Sequence, residues 1–336
     1  MQLLRTILMR LSTTAVTLIG VAVIVFVVIR VVPGNPIAMM LPPGATEADI
    51  ARLTALYGLD KSIPEQFVIW AAGVLQGDFG TSISLRQPVM NLVLGRLPAT
   101  LELSVLALAF AILIGGTAAI LGTLWRDTRR EAAVDVGNGI AMSVPDFLWG
   151  LTLILLFGVL FPIFHISGRV TPSLELPFTS EFYLIESLLR VRLDLFADIL
   201  AHMLLPALAL AIPLAAIIGQ LLKQSLKETM HLDYVTLART KGYGETRVIL
   251  REALPNAVLP TLTLVGVQFT FLIGGTVIIE RLFSYEGLGN MAIDAVINRD
   301  LPLIQGIVIL FAALFTAINL IVDLTYASLN PRLRHG

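Results

Sequence analysis

LELSVLALAFAILIGGTAAILGTL (Leu101–Leu124) carries a single ionisable side chain, Glu102, near its start. A bilayer core is about 30 Å thick and takes about 20 largely apolar residues in helical form, so this stretch is long enough to cross one. The same character recurs at Met9–Val32, Ile140–Phe164, Leu200–Leu222, Pro260–Ile279 and Leu303–Tyr326. Together they predict an all-α integral membrane protein with six transmembrane helices. Composition agrees: 56% of the 336 residues are apolar and 14% charged, with mean hydropathy +0.86, against about 45–50% and about 25% in soluble domains. A net charge of −1 offers no field for nucleic acid. The absence of cysteine excludes disulfides, thiolate metal sites and cysteine nucleophiles. His165, His202, His231 and His335 show no metal-ligand spacing along the chain.

Pro145, Pro162, Pro206 and Pro213 interrupt the third and fourth spans, as a packed bundle tolerates. The pairs Gly115–Gly116 and Gly274–Gly275 read as points of close helix approach. The first span runs into Val32-Pro-Gly-Asn-Pro36 with no small-residue cleavage pattern, so it is expected to be retained as an anchor. Placing both termini inside puts Arg5, Arg10, Arg126, Arg129, Arg130, Lys223, Lys227, Arg239, Lys241, Arg247, Arg251, Arg332 and Arg334 on the cytoplasmic side. The two later outer loops then hold Arg169, Arg190, Arg192, Arg281 and Arg299, a bias that favours this orientation.

The first outer segment is organised. Thr46-Glu-Ala-Asp49 reads as a cap opening a helix that Gly58 closes. Ser62-Ile-Pro-Glu65 opens a second helix, whose Phe67, Val68, Trp70, Ala71, Val74 and Leu75 suit it to lie against the bilayer or the bundle. Among charges near the spans, Glu102, Asp135, the Glu280–Arg281 pair and Asp323 read as structural partners rather than substrate contacts. Glu280, Arg281, Arg299 and Asp300 read as a solvated outer rim. Gln220, Gln268 and Asn319, with His202 and Gln305, are polar enough to line a wet pathway; interhelical hydrogen bonding explains them equally well.

Between the fourth and fifth spans lies Lys223–Leu259. Asp233 can cap a short helix through Tyr234, Val235, Leu237 and Ala238, with Gly242 ending it. After the turn Gly242-Tyr-Gly244, Thr246 can cap a second helix that stops before Pro255. On its residues alone this basic-flanked knob serves equally as a docking element or as a cover for the bundle's inner face.

The hairpin resembles the cytoplasmic loop of ATP-binding cassette (ABC) importer permeases, in the dipeptide and oligopeptide branch. Thr236-Leu237-Ala238, Gly242 and Leu254-Pro255 fall in that loop's register, with Glu252 at its isoleucine position, and Ala238-Arg239-Thr240-Lys241-Gly242 fits the branch's Ala-Arg-x-Lys-Gly. Val32–Pro36, Tyr57–Asp60, Gly77-Asp-Phe-Gly-Thr-Ser82, Leu97–Leu103, Phe283–Gly289, Arg299-Asp-Leu-Pro302, Asn319–Asp323 and Asn330–Arg334 agree in order. The resemblance implies a type I importer permease: an anchor helix (1–32), an outer region with short helices (33–95), a transmembrane domain (96–327) with a cytoplasmic coupling-helix hairpin at about 232–255, and a cytoplasmic tail (328–336). It further implies ATPase coupling through Thr236, Leu237, Ala238, Arg239, Lys241, Gly242, Leu254 and Pro255. The implied partners are a homologous second permease, two cytoplasmic ABC ATPases, an external solute-binding protein and membrane lipid, in a bacterial inner membrane. ATP and magnesium belong to the partner subunits: no G-x-x-x-x-G-K-[ST] occurs here, and no cofactor is expected on this chain. A stand-alone secondary transporter or channel driven by an ion gradient is the alternative. An intramembrane enzyme would need a Ser–His, paired-Asp or HExxH constellation, which the spans lack.

Overall fold

A computed structural model describes the backbone of residues 2–31, 46–48, 51, 54 and 60–329; side chains are described within 12–28, 46–48, 51, 54 and 60–322. The expected Thr46 cap, Gly58 stop, Val32–Pro36 and Tyr57–Asp60 motifs, Asp323 side chain and Asn330–Arg334 terminus lie wholly or largely outside the described residues. Among the described residues the regular elements are all helices, joined by turns and loops, with one isolated bridge, Thr81 to Pro88. Four helices among the described residues are long and apolar enough to cross a membrane: Val89–Leu124, Leu193–Thr229, Glu245–Leu282 and Leu301–Val322. Arg129–Ser143 and Asp146–Leu160 make a fifth if the pair, bent by 101°, is one broken span. The bend falls at Val144–Pro145, where proline cannot continue the preceding ladder. The expected first span is helical over Gln2–Val31, but its described apolar stretch, Ser12–Val28, is shorter than a crossing.

Two compact units divide the chain: Met1–Pro98 with Gly287–Ala317, and Ala99–Glu286 with Ile318–Gly336. In the first, the helix Ile63–Leu75 starts as expected, with Ser62 N donating to Glu65 Oε2 at 3.1 Å. Its Phe67 and Trp70 rings pack on Phe26 at 5.2 and 5.3 Å, so this helix lies against the N-terminal helix. Two motifs distant in sequence meet here. Asp300, fully buried, accepts from Ser82 Oγ, Ser84 N and Ser84 Oγ. Burial opposes ionisation of Asp300, but the donors on Ser82 and Ser84 outweigh it and hold the carboxyl below its ordinary range. Asp300 is therefore not part of a solvated rim.

The second unit is organised around Leu193–Thr229, which buries a face of Leu195, Ile199, Met203, Ala207, Leu210, Ala211, Leu214, Ala215 and Ile218. Pro206 and Pro213 leave this central helix continuous, contrary to the expected interruption. Gly115 is the close approach: an added Cβ would sit 2.3 Å from the Ala215 carbonyl oxygen, and the reciprocal Gly219 meets Gly115 O at 2.9 Å. Gly116, Gly274 and Gly275 have nothing within 4 Å of an added Cβ, so among the described residues of this chain they make no close helix approach. Charges tie the remaining elements on. Lys223 bridges Glu131 at 2.8 Å and Asp135 at 2.7 Å. Arg169, 4% exposed, pairs with Glu102 at 3.3 Å and lies 4.0 Å over the Tyr183 ring. Thr100 Oγ1 donates to Glu280 Oε1 at 2.7 Å. Glu280 is fully buried, so it too is not a solvated rim group. Glu186 gathers Ser180 and Thr179 donors ahead of the helix Tyr183–Leu189, and these, the Ser180 hydroxyl foremost, pull its carboxyl to about 2.

Candidate coupling hairpin and pathway residues

The knob begins where the central helix ends. Leu232 precedes the helix Asp233–Thr240, and Asp233 is its first residue without capping it through its side chain. The stop is as expected. Gly242 has φ +82°, Gly242 N donates to Arg239 O at 2.9 Å, and Tyr243 N to Ala238 O at 3.4 Å. This double closure requires a left-handed residue, which glycine supplies without strain. Nothing lies within 4 Å of a Cβ built on Gly242, so the backbone angle, not space, selects glycine.

Across the turn Gly244, not Thr246, precedes the next helical residue, Glu245. Arg239 bridges to Glu245 at 2.9 and 3.2 Å, and Arg247 stacks 3.9 Å over Tyr243. The second limb does not stop before Pro255. A wide turn at Val248–Ala253 feeds directly into Leu254–Leu282, with Pro255 in that helix's first turn. The wider winding gives room where the proline ring would otherwise meet the Arg251 carbonyl. Glu245–Leu282 is thus one rod, and Pro260 lies inside it.

Val235, Ala238, Val248, Ile249 and Ala253 bury the knob's inner face against Ala119, Leu222, Leu226 and Met230. The opposite face holds Leu232 (49% exposed), Tyr234 (40%) and Leu237 (55%), beside exposed Thr236 and Lys241. Leu254 is half-buried and Pro255 exposed. Of the candidate pathway residues, Asn319 is half-buried and accepts from Thr270 Oγ1 at 3.3 Å, an interhelical bond. Gln268 is half-buried and Gln220 exposed, and among the described residues no hydrogen bond joins either to Asn319.

Comparison with known proteins completes this picture. Residues 111–335 match the family model described as binding-protein-dependent transport system inner membrane component, and residues 3–104 match its N-terminal companion. The chain belongs to the binding-protein-dependent transport system inner membrane component family. It is 38% identical over 342 residues to the dipeptide transport system permease protein DppB of Escherichia coli K12, covering 99% of each chain. It is 35% identical over 327 residues to the di/tripeptide permease DppB of Pseudomonas aeruginosa, covering 97% of each. The glutathione permease GsiC of Salmonella typhi is 34% identical over 342 residues, 99% of this chain and 100% of that one. Among solved structures, the inward-facing MetNI methionine ABC transporter gives a TM-score of 0.55 at 15% identity, over 72% of this chain and 97% of that chain, which bears on fold alone. The protein is a permease subunit of an ABC importer, related to permease subunits and not to ATPases. None of these likenesses favours the ion-driven alternative.

Some polar groupings were not foreseen. The partner of Glu102 is Arg169, distant in sequence and expected in an outer loop. His165 and His202, scattered along the chain, stack in space; the one-turn spacing of Asp198 and His202 on a helix was the available signal.

Proposed function

We propose that this permease supplies half of an ATP-driven import pathway for peptides or a related small solute, with a homologous second permease supplying the other half. Two cytoplasmic ABC ATPases carrying ATP and magnesium drive it, and an external solute-binding protein delivers the solute. In this proposal six helices span a bacterial inner membrane with both termini cytoplasmic, the anchor occupying 1–32, the outer region 33–95, the transmembrane domain 96–327 and the tail 328–336. The peptide class rests on the relatives named for dipeptides, di/tripeptides and glutathione.

The observation that carries coupling is the two-faced knob. One face is buried on the bundle, while Leu232, Tyr234 and Leu237 present exposed apolar surface beside Thr236 and Lys241. Thr236 and Leu237 touch the ATPase. Ala238, Arg239 and Gly242 fix the hairpin angle, Lys241 supplies charge, and Leu254-Pro255 joins the knob to its rod. Moving a bundle from 1:99 to 99:1 between two states takes about 5.5 kcal/mol of differential binding, which ATPase closure delivers through a rigid hairpin. Gln220, Gln268 and Asn319 line the pathway in the assembled pair.

Leu237→Glu tests the reading, because an exposed side chain can be charged without disturbing the core. The variant should insert normally, fail to co-purify the ATPase, and lose ATP-dependent uptake in liposomes containing all partners. Wild-type levels of both would refute coupling through this face.

A further inference from the structure

His165, Asp198 and His202 converge within the second unit. His165 follows the bent helix pair, and Asp198 and His202 lie one turn apart on the central helix. One ligand atom from each lies within 4.8 Å of the others. The imidazole rings stack with centroids 3.9 Å apart and planes 9° apart. His202 Nδ1 is 2.9 Å from the backbone carbonyl oxygen of Asp198. A carbonyl only accepts, so Nδ1 carries the proton here; the same Nδ1 lies 3.6 Å from Asp198 Oδ2, and the ring takes its other tautomer, with the proton on Nε2, when an ion binds beside the carboxylate.

The other two groups are similarly poised. His165 is exposed, and no hydrogen bond among the described residues reaches its ring nitrogens. The Asp198 carboxylate is held by Thr171, whose N donates to Oδ2 at 2.9 Å and whose Oγ1 donates to Oδ1 at 2.7 Å. Each carboxylate oxygen still has a lone pair to offer. Ring stacking alone explains the parallel imidazoles, but not the carboxylate at the same point.

We propose that His165, His202 and Asp198 bind one divalent transition-metal ion of the imidazole-preferring class, zinc being the type. Two imidazoles with one carboxylate suit that class; calcium and magnesium want more oxygen ligands, and the chain has no thiolate for softer ions. Bond lengths of about 2.0–2.2 Å place tetrahedral ligand atoms roughly 3.4 Å apart, so the set must contract by up to about 1.4 Å. Exposed His165, on a non-helical segment, supplies that movement by side-chain rotation. Asp198 and His202 stay in place on the helix, and water takes the fourth position. The ion would clasp the segment around His165 to the central helix.

The test uses the full-length chain in its assembled transporter, purified without a histidine tag. Zn(II) is titrated against a chromophoric chelator, and Co(II) is followed by visible absorption. The wild type should hold one ion per chain that His165→Ala and Asp198→Asn lose, while His231→Ala keeps it. Metal should raise the melting temperature of the wild type, and that rise should vanish in His165→Ala, whose metal-free melting temperature stays unchanged. Equal ion content and equal metal-induced stabilisation in wild type and His165→Ala would overturn the proposal. So would loss of the ion on replacing His231 or His335 alone.

Discussion

Replacing Gly115 by alanine places a methyl 2.3 Å from the Ala215 carbonyl oxygen and 3.1 Å from Gly219 N. Non-bonded contacts relax at about 3.5 Å, so the two helices must part by roughly an ångström. Both obstructing atoms are backbone, and no rotamer can turn them away. Separation also loosens the neighbours packed along the seam, from Ala111 to Ile218. Overpacking of this kind costs about 1–3 kcal/mol. Gly116, one residue on, faces open space, and alanine there should gain about 1 kcal/mol of helix propensity. The paired variants in detergent, unfolded by denaturant titration, should differ by about 2–4 kcal/mol in that order. Equal midpoints for Gly115→Ala and Gly116→Ala would refute the contact. Gly219→Ala, at 2.9 Å from the Gly115 carbonyl oxygen, should fall between them.

Arg169→Ala leaves Glu102 buried without its partner and should cost about 3–5 kcal/mol; Arg169→Met combined with Glu102→Gln should recover much of it, as a double-mutant cycle on unfolding midpoints would read. The Glu186 carboxyl is lowered from 4.5 to about 2 by its donors, so the stability it adds is present above 4.5 and lost as pH falls towards about 2. Glu186→Gln should flatten that part of the pH–stability curve, measured by melting temperature. For topology, Gln87→Cys and Thr240→Cys are both exposed sites in a chain without native cysteine. An impermeant thiol reagent on intact cells should label the first and spare the second; the reverse pattern would overturn the orientation. Ser82, 1% exposed, is a poor probe.

Leu101–Leu124, Leu200–Leu222, Pro260–Ile279 and Leu303–Tyr326 were legible because exclusion from water acts on long apolar blocks regardless of what they pack against; Ile140–Phe164 was not one straight span but the second part of a pair bent at Val144–Pro145. Helix ends were less so: Val89–Leu124 and Glu245–Leu282 extend well past the blocks that announced them, since helical winding continues beyond the bilayer. Pro145 did mark a break, while Pro206 and Pro213 lie inside a continuous helix packed among its neighbours. Gly242 was readable, since a Schellman closure demands a left-handed residue at one fixed place. Its flanking caps were not, because Asp233 and Thr246 lost out to Leu232 and Gly244 once the knob's buried face set the register. The joining of Ser82 to Asp300, and of Arg169 to Glu102, depends on long-range folding that no local pattern carries.

The 101° bend has a consequence for how the chain enters a membrane. Arg129–Ser143 is 15 residues long, and Asp146–Leu160 matches it. At 1.5 Å per residue either limb reaches about 22 Å, short of a hydrocarbon core of about 30 Å. The first also carries Arg129, Arg130, Glu131 and Asp135. Neither limb can settle alone as it emerges from the ribosome. Both pack on Leu193–Thr229, which is synthesised later. The surface both limbs pack on is therefore complete only once that helix has been made, and the Lys223 bridges to Glu131 and Asp135 can form only then. Chain order thus ties the two short limbs, unlike the long Val89–Leu124, to a helix made after them.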